Sequence, residues 1–179
     1  MASNVEVKVR CPDLNPVRAK AATLATSPPQ DIEQRDTFFV VPSGRLKVRE
    51  FRDGSGELIA YQRHNQPGPR ESEYTRAASA DARALVVALS RVLSVRGVVV
   101  KRRELFLVGR TRIHLDQVEG LGSFVELEVV LGDDPSVGGG VREAQELLGT
   151  LELERSALVA EAYIDLLEAR QTPLGSVVE

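Results

Sequence analysis

The stretch Asn4-Val5-Glu6-Val7-Lys8-Val9-Arg10 (NVEVKVR) alternates without a break. Valines hold positions 5, 7 and 9; polar or charged residues hold 4, 6, 8 and 10. A period of two is that of a β-strand with one face buried. Which face is hidden decides the fold. A sheet with one wet side buries the valines and leaves Glu6, Lys8 and Arg10 in water. A sheet covered from outside turns the same charges onto an enclosed space.

The pattern returns along the chain. In 45–52 (RLKVREFR), Arg45, Lys47 and Arg49 share one face and Leu46 and Val48 the other. In 57–64, Arg63 shares a face with Tyr61 and Ile59. Lys101 and Arg103 align with Val99 in 97–108, and Arg110, Arg112, His114 and Asp116 align in 110–118. In 123–131, Glu126 and Glu128 stand opposite Val125, Leu127, Val129 and Leu131. Further strands are expected over 31–41 and 72–77. Asp53-Gly54-Ser55-Gly56 joins the strands over 45–52 and 57–64 as a hairpin.

Helices are expected over 15–25, capped by Asn15 with Pro16 at the first turn, and over 79–94, capped by Ser79. The second is amphipathic, with Leu85, Val86, Leu89, Val92 and Leu93 on one side. Two more follow at 141–149 and 155–170, after breaks at Asp133-Asp134-Pro135 and Gly138-Gly139-Gly140. About eight strands and four helices at hairpin-compatible spacing give an antiparallel sheet or barrel.

Composition narrows the function. The chain has 179 residues, 42% hydrophobic and 27% charged, with a net charge of -3. That suits one soluble domain, here 1–170 with a flexible tail over 171–179, and argues against nucleic acid as a partner. Five Phe, three Tyr and no Trp give little for a base-stacking platform. A lone cysteine, Cys11, leaves no disulfide and no thiolate metal site. No apolar run marks a leader or a membrane span, so the expected location is the cytoplasm.

The charges are sorted. Basic residues cluster on the middle strands, while carboxylates sit on the first and last. Eight strands closed into a barrel enclose room for one small ligand. If helices cover the outside, Lys8, Lys47, Arg49, Arg63, Lys101, Arg103 and Arg112 face Glu6, Asp116, Glu126 and Glu128 across it. Buried charges need partners. The basic excess suits a polyanion, with Arg forks matched to phosphate oxygens. The carboxylates suit a hard divalent cation, and a metal-bridged triphosphate satisfies both.

These residues resemble the CYTH domains, or triphosphate tunnel metalloenzymes, and within them the class IV adenylate cyclases. The signature first strand, E-x-E-x-K, reads Asn4-x-Glu6-x-Lys8. The resemblance continues through GRLKVRE (44–50), ELIAYQR (57–63), VVVKRRELF (98–106), RIHLDQVEGLGSFVELE (112–128) and AYIDLLEAR (162–170). It implies an α+β fold, an eight-stranded antiparallel β-barrel with helices on the outside, holding a triphosphate with Mg²⁺ or Mn²⁺. It implies Glu6, Glu126 and Glu128 as metal carboxylates and Lys8, Lys47, Arg49, Arg63, Lys101, Arg103 and Arg112 as triphosphate ligands. Asp116, with Lys8 and Arg112, falls at the reacting end. The implied assembly is a homodimer. Asn4 departs from the signature: it offers a carbonyl oxygen without charge where the family has its first Glu. The implied activity is conversion of ATP to cyclic AMP and pyrophosphate. A metal-dependent triphosphatase and a non-catalytic triphosphate sensor remain open beside it.

Overall fold

The structure is a computed structural model, described here for residues 2–63, 68–132 and 137–171. The expected strand end at His64, loop residues 65–67, the break at 133–135 and the tail 172–179 lie outside these residues. The described residues form eight strands and four α-helices. These are β1 (Ala2–Arg10), α1 (Asn15–Leu24), β2 (Gln30–Phe39), β3 (Arg45–Phe51), β4 (Gly56–Arg63), β5 (Arg70–Ser79) and α2 (Ala82–Ser90). They continue as β6 (Val95–Val108), β7 (Thr111–Val118), β8 (Gly122–Val130), α3 (Val137–Thr150) and α4 (Tyr163–Gln171). The strands close into an antiparallel barrel in the order β1-β5-β4-β3-β2-β6-β7-β8.

The aliphatic faces point outward and the helices cover them. Val5, Val7 and Val9 of β1 join Ile113, Leu115, Val125, Leu127 and Val129 under Val17 and Ala21 of α1 and Ala144 and Leu148 of α3. On the far side, Phe39 and Val48 pack on Ala82 and Val86 of α2. Helix α3 comes close because Gly140 faces β1: a Cβ there would meet Val5 Cγ2 at 2.9 Å. Strand β1 therefore buries both faces, and the charged face of NVEVKVR turns inward.

Helix α4 is different. With the segment before it, it stoppers one barrel end, seating Ala162, Tyr163 and Ile164 against Phe38, Val99, Val118 and Phe124. The approach is pinned to β1, where the Val159 N–H donates to the Lys8 carbonyl at 2.9 Å. Among the described residues no helix is long and apolar enough to cross a membrane.

Several local expectations are corrected. Asp81, not Ser79, caps α2 by accepting from the Ala84 N–H at 2.9 Å. Ser79 ends β5, which runs over Arg70–Ser79 rather than 72–77. Val92 lies beyond the helix end and is 78% exposed. Asn15 begins α1 instead of capping it; the Asp13 carboxylate accepts the Asn15 N–H. The helix expected over 155–170 is a 3₁₀ turn at Arg155–Ala157, an extended crossing, and then α4, which includes Gln171 of the supposed tail. Arg110 leaves the inner row: it sits in a turn and pairs with Glu143 at 2.8 Å.

Candidate active site

Alternation does the positioning. Asn4, Glu6 and Lys8 of β1 face the interior with Glu126 and Glu128 of β8, Arg112 and His114 of β7, Lys101 and Arg103 of β6, and Lys47 and Arg49 of β3. They surround a cavity of about 360 Å³, with Tyr163 of α4 at its stoppered end. Asp116 is fully buried behind Arg103.

Two walls differ in charge. Along β1 and β8, Glu6 lies opposite Glu128 and Lys8 opposite Glu126. Glu126 is 4.0 Å from Lys8 and 3.8 Å from Arg103, and Glu128 is 3.3 Å from Arg112. Glu6 pairs with Arg70 at 3.4 Å. The Asn4 amide donates to Glu128. Facing this wall, Asp36 accepts from Lys47 at 2.7 Å and twice from Arg49 at 2.8 Å. Asp116 accepts two bonds from Arg103, each 2.6 Å, and one from the Tyr163 hydroxyl at 2.8 Å. The Lys101 amine lies 3.9 Å from Asp116.

Burial and these pairs set the protonation states. Burial alone would raise the Asp116 carboxyl, but Arg103 and Lys101 outweigh it and hold it far below the usual range. Glu126 is likewise lowered against burial by Lys8 and Arg103, and Asp36 by Arg49 and Lys47. Burial, with Arg103 beside it, lowers Lys101 to about 7. Burial and Arg103 push His114 well below its ordinary value, so its imidazole is neutral. A phosphate chain entering here meets cations held in place by carboxylates.

Of the residues singled out in the sequence, Lys8, Lys47, Arg49, Lys101, Arg103, Arg112, Glu6, Glu126 and Glu128 border the one cavity. Arg63 ends β4, and its side chain lies outside the described residues. Arg102 points outward to Asp31 at 2.9 Å. Sequence reasoning missed Arg70, 2% exposed, because QPGPR reads as a loop. The signal was the step of two through Arg70, Ser72, Tyr74 and Arg76. It also missed Tyr163, which no strand period marks.

Glu6, Glu126 and Glu128 share one inner wall yet are not drawn together. Among the described residues no three His, Cys, Asp or Glu side chains form a ready metal cage. The donor set still fits a hard cation. Glu126 and Glu128 alternate on the inner face of β8. The buried Asn4 Oδ1 has no hydrogen-bond partner and belongs to the side chain that already contacts Glu128. Mg²⁺ takes one or two carboxylates and completes its shell with water and phosphate oxygens. Such a site is finished by its substrate.

A model of the CYTH domain matches residues 2–163, the whole barrel and the start of its stopper. The chain belongs to the CYTH domain family. That family acts on ATP or other triphosphates and implies a divalent metal cation. An adenylate cyclase, CyaB of Aeromonas hydrophila, is 27% identical over 183 residues, covering 94% of this CYTH chain and 90% of the relative. Among solved structures, the PH1012 protein of Pyrococcus horikoshii OT3 has a TM-score of 0.81 at 23% identity, covering 91% of this chain and 98% of that one. A Hippeastrum protein named as an adenylyl cyclase, with a dominant triphosphatase activity, has a TM-score of 0.62 at 13% identity, covering 95% of this chain and 96% of that one.

Proposed function

We propose that this CYTH protein is a divalent-cation-dependent adenylate cyclase of the class IV type. The observation that carries the reading is the ring of Lys8, Lys47, Arg49, Lys101, Arg103 and Arg112 around one cavity whose other wall bears Glu126 and Glu128. The likeness to CyaB along 94% of the chain supports cyclisation over hydrolysis. Glu126, Glu128 and the Asn4 carbonyl, with Glu6 adjacent, would hold Mg²⁺ or Mn²⁺. When bound, the cation supplies Lewis-acid polarisation and makes a hydroxyl more acidic.

The protein's own part is electrostatic. The ribose 3′-hydroxyl attacks the α-phosphorus in line; the O3′–P bond forms as the hydroxyl proton passes to water and the P–O bond to the β-phosphate breaks, and pyrophosphate leaves. Lys8, Lys101 and Arg103 neutralise the charge that grows on it, and the Arg49 and Arg112 forks orient the chain. Asp116 stays ionised with its oxygens engaged by Arg103 and Tyr163, so its part is to aim Arg103 rather than to carry a proton.

Hydrolysis of a triphosphate is the second reading, since the same cations serve attack at the γ-phosphorus. The test separates products. With ATP and Mg²⁺ or Mn²⁺ the protein should give cyclic AMP and pyrophosphate; orthophosphate from inorganic triphosphate, without cyclic AMP, selects the second reading.

A further inference from the structure

The cavity is not charged throughout. Ile32 of β2, Phe51 of β3 and Leu105 of β6 also line it. Phe51 pairs with Gln34, two residues along β2 from Ile32, and Leu105 pairs with Gln30, two residues the other way. Ile32 is thus the diagonal neighbour of Phe51 on one side and of Leu105 on the other, all on one face. They form an apolar diagonal, a shelf that crosses β3, β2 and β6.

That shelf has no structural employment. Each of the three is partly exposed, and none belongs to the clusters that make up the protein's core. Its place is the rim. Ile32 and Phe51 border a second recess with Glu33, Arg52 and Arg102, whose side chains are 58%, 84% and 62% exposed. The α4 stopper lies at the opposite end, against Phe38 near the close of β2. On the inner side the shelf runs directly into the cations: Ile32 pairs with Arg103, and Arg49 is two residues before Phe51.

An inorganic triphosphate would leave this apolar surface wet. A triphosphate carrying a flat apolar group would cover it while its phosphates reach the cations. We propose that Ile32, Phe51 and Leu105 form the shelf that holds the base, with the nucleoside triphosphate lying along the tunnel, base at the rim and γ-phosphate toward Tyr163. The proposal rests on the triphosphate reading of the chamber and adds the residues that hold the base and the direction in which the substrate lies.

Titration calorimetry with Mg²⁺ tests it, using an α,β-methylene nucleoside triphosphate and inorganic triphosphate as probes. Phe51→Ala and Leu105→Ser should weaken the nucleotide roughly five- to hundred-fold, the range of a lost base contact. Inorganic triphosphate should bind each variant as it binds the parent, which also shows that the variants are folded. Phe51→Leu should restore much of the nucleotide affinity. A fluorophore on the γ-phosphate should abolish binding and one on the base should be tolerated. Equal loss for both probes, no loss for either, a parent protein that holds no nucleotide, or the reverse order of labels overturns the proposal. Failure of the cyclase reading appears separately, as absence of cyclic AMP from a parent protein that still binds nucleotide through the shelf.

Discussion

The Tyr163 hydroxyl donates to Asp116 at 2.8 Å, tying the C-terminal helix to the most buried carboxylate of the chamber. The same ring lies 4.0 Å from the Lys8 ammonium and 5.2 Å from that of Lys101. It meets Phe124 edge-on at 5.0 Å. Stopper and site are therefore one unit, and the two halves of this side chain can be tested apart.

Tyr163→Phe removes a hydrogen bond to a charged group and should cost about 1.5–3 kcal/mol of stability. Tyr163→Ala also removes the ring beneath two ammonium groups and leaves a cavity, about 3–5 kcal/mol. Denaturant midpoints should rank parent, Phe, Ala in falling order. A Phe variant as damaged as the Ala variant would locate the role in the hydroxyl alone.

Asp36 is the counter-ion of Lys47 and Arg49, and its carboxyl is held well below the usual range. A carboxyl lowered by folding contributes stability above its unfolded value, near 3.9, that is lost as pH falls through the folded one. Asp36→Asn should cost about 3–5 kcal/mol at pH 7 by leaving two buried cations unpaired. The difference from the parent should shrink in acid-unfolding curves below about pH 4.

Lys101 titrates at about 7, lowered by burial and by Arg103. The cost of its charge to folding is full below pH 7 and fades as pH rises toward the ordinary lysine value, because the unfolded chain binds the extra proton. A polyanion needs the charged form. Above pH 7, triphosphate binding should take up a proton, seen as a dependence of binding heat on buffer ionisation enthalpy. Lys101→Arg should abolish that dependence and retain binding.

Helix α4 is latched by Asp165, which accepts from Arg45 at 2.9 Å, Arg96 at 2.7 Å and the Ala162 N–H at 3.0 Å. Arg96 also holds Glu168 at 2.7 Å. Asp165→Ala should lower global stability by only about 1–2 kcal/mol, since the pairs are partly wet. Amide exchange over Ala162–Gln171 should accelerate far more than in β1 or β8. Uniform acceleration would mean that α4 does not open separately.

Much of this was legible in the sequence. Val5, Val7 and Val9 interleaved with Glu6 and Lys8 set the strand, and the sorting of charges in KVR, KRR and ELE set which face turned inward. Tyr163 was not legible, because it opens α4 and reaches the chamber only through the docking of that helix on the barrel end, a tertiary contact that no strand period marks. Arg70 was hidden by the prolines and glycine before it, although it pairs with Glu6 inside the barrel. The cap of α2 was misplaced because Ser79 and Asp81 both suit a helix start. Only tertiary pairing of β5 with β4 decides that Ser79 stays in the sheet.

The central claim is that the charged inner faces make one metal-dependent triphosphate chamber. Calorimetric titration of inorganic triphosphate with and without Mg²⁺, into the parent protein and into Lys101→Met and Glu126→Gln, tests it most directly. The account predicts tight Mg²⁺-dependent binding by the parent, a loss of affinity of at least about tenfold in Lys101→Met as one desolvated ion pair is removed, and loss of the Mg²⁺ dependence in Glu126→Gln. Equal affinities in all three proteins, with no effect of Mg²⁺, would contradict it.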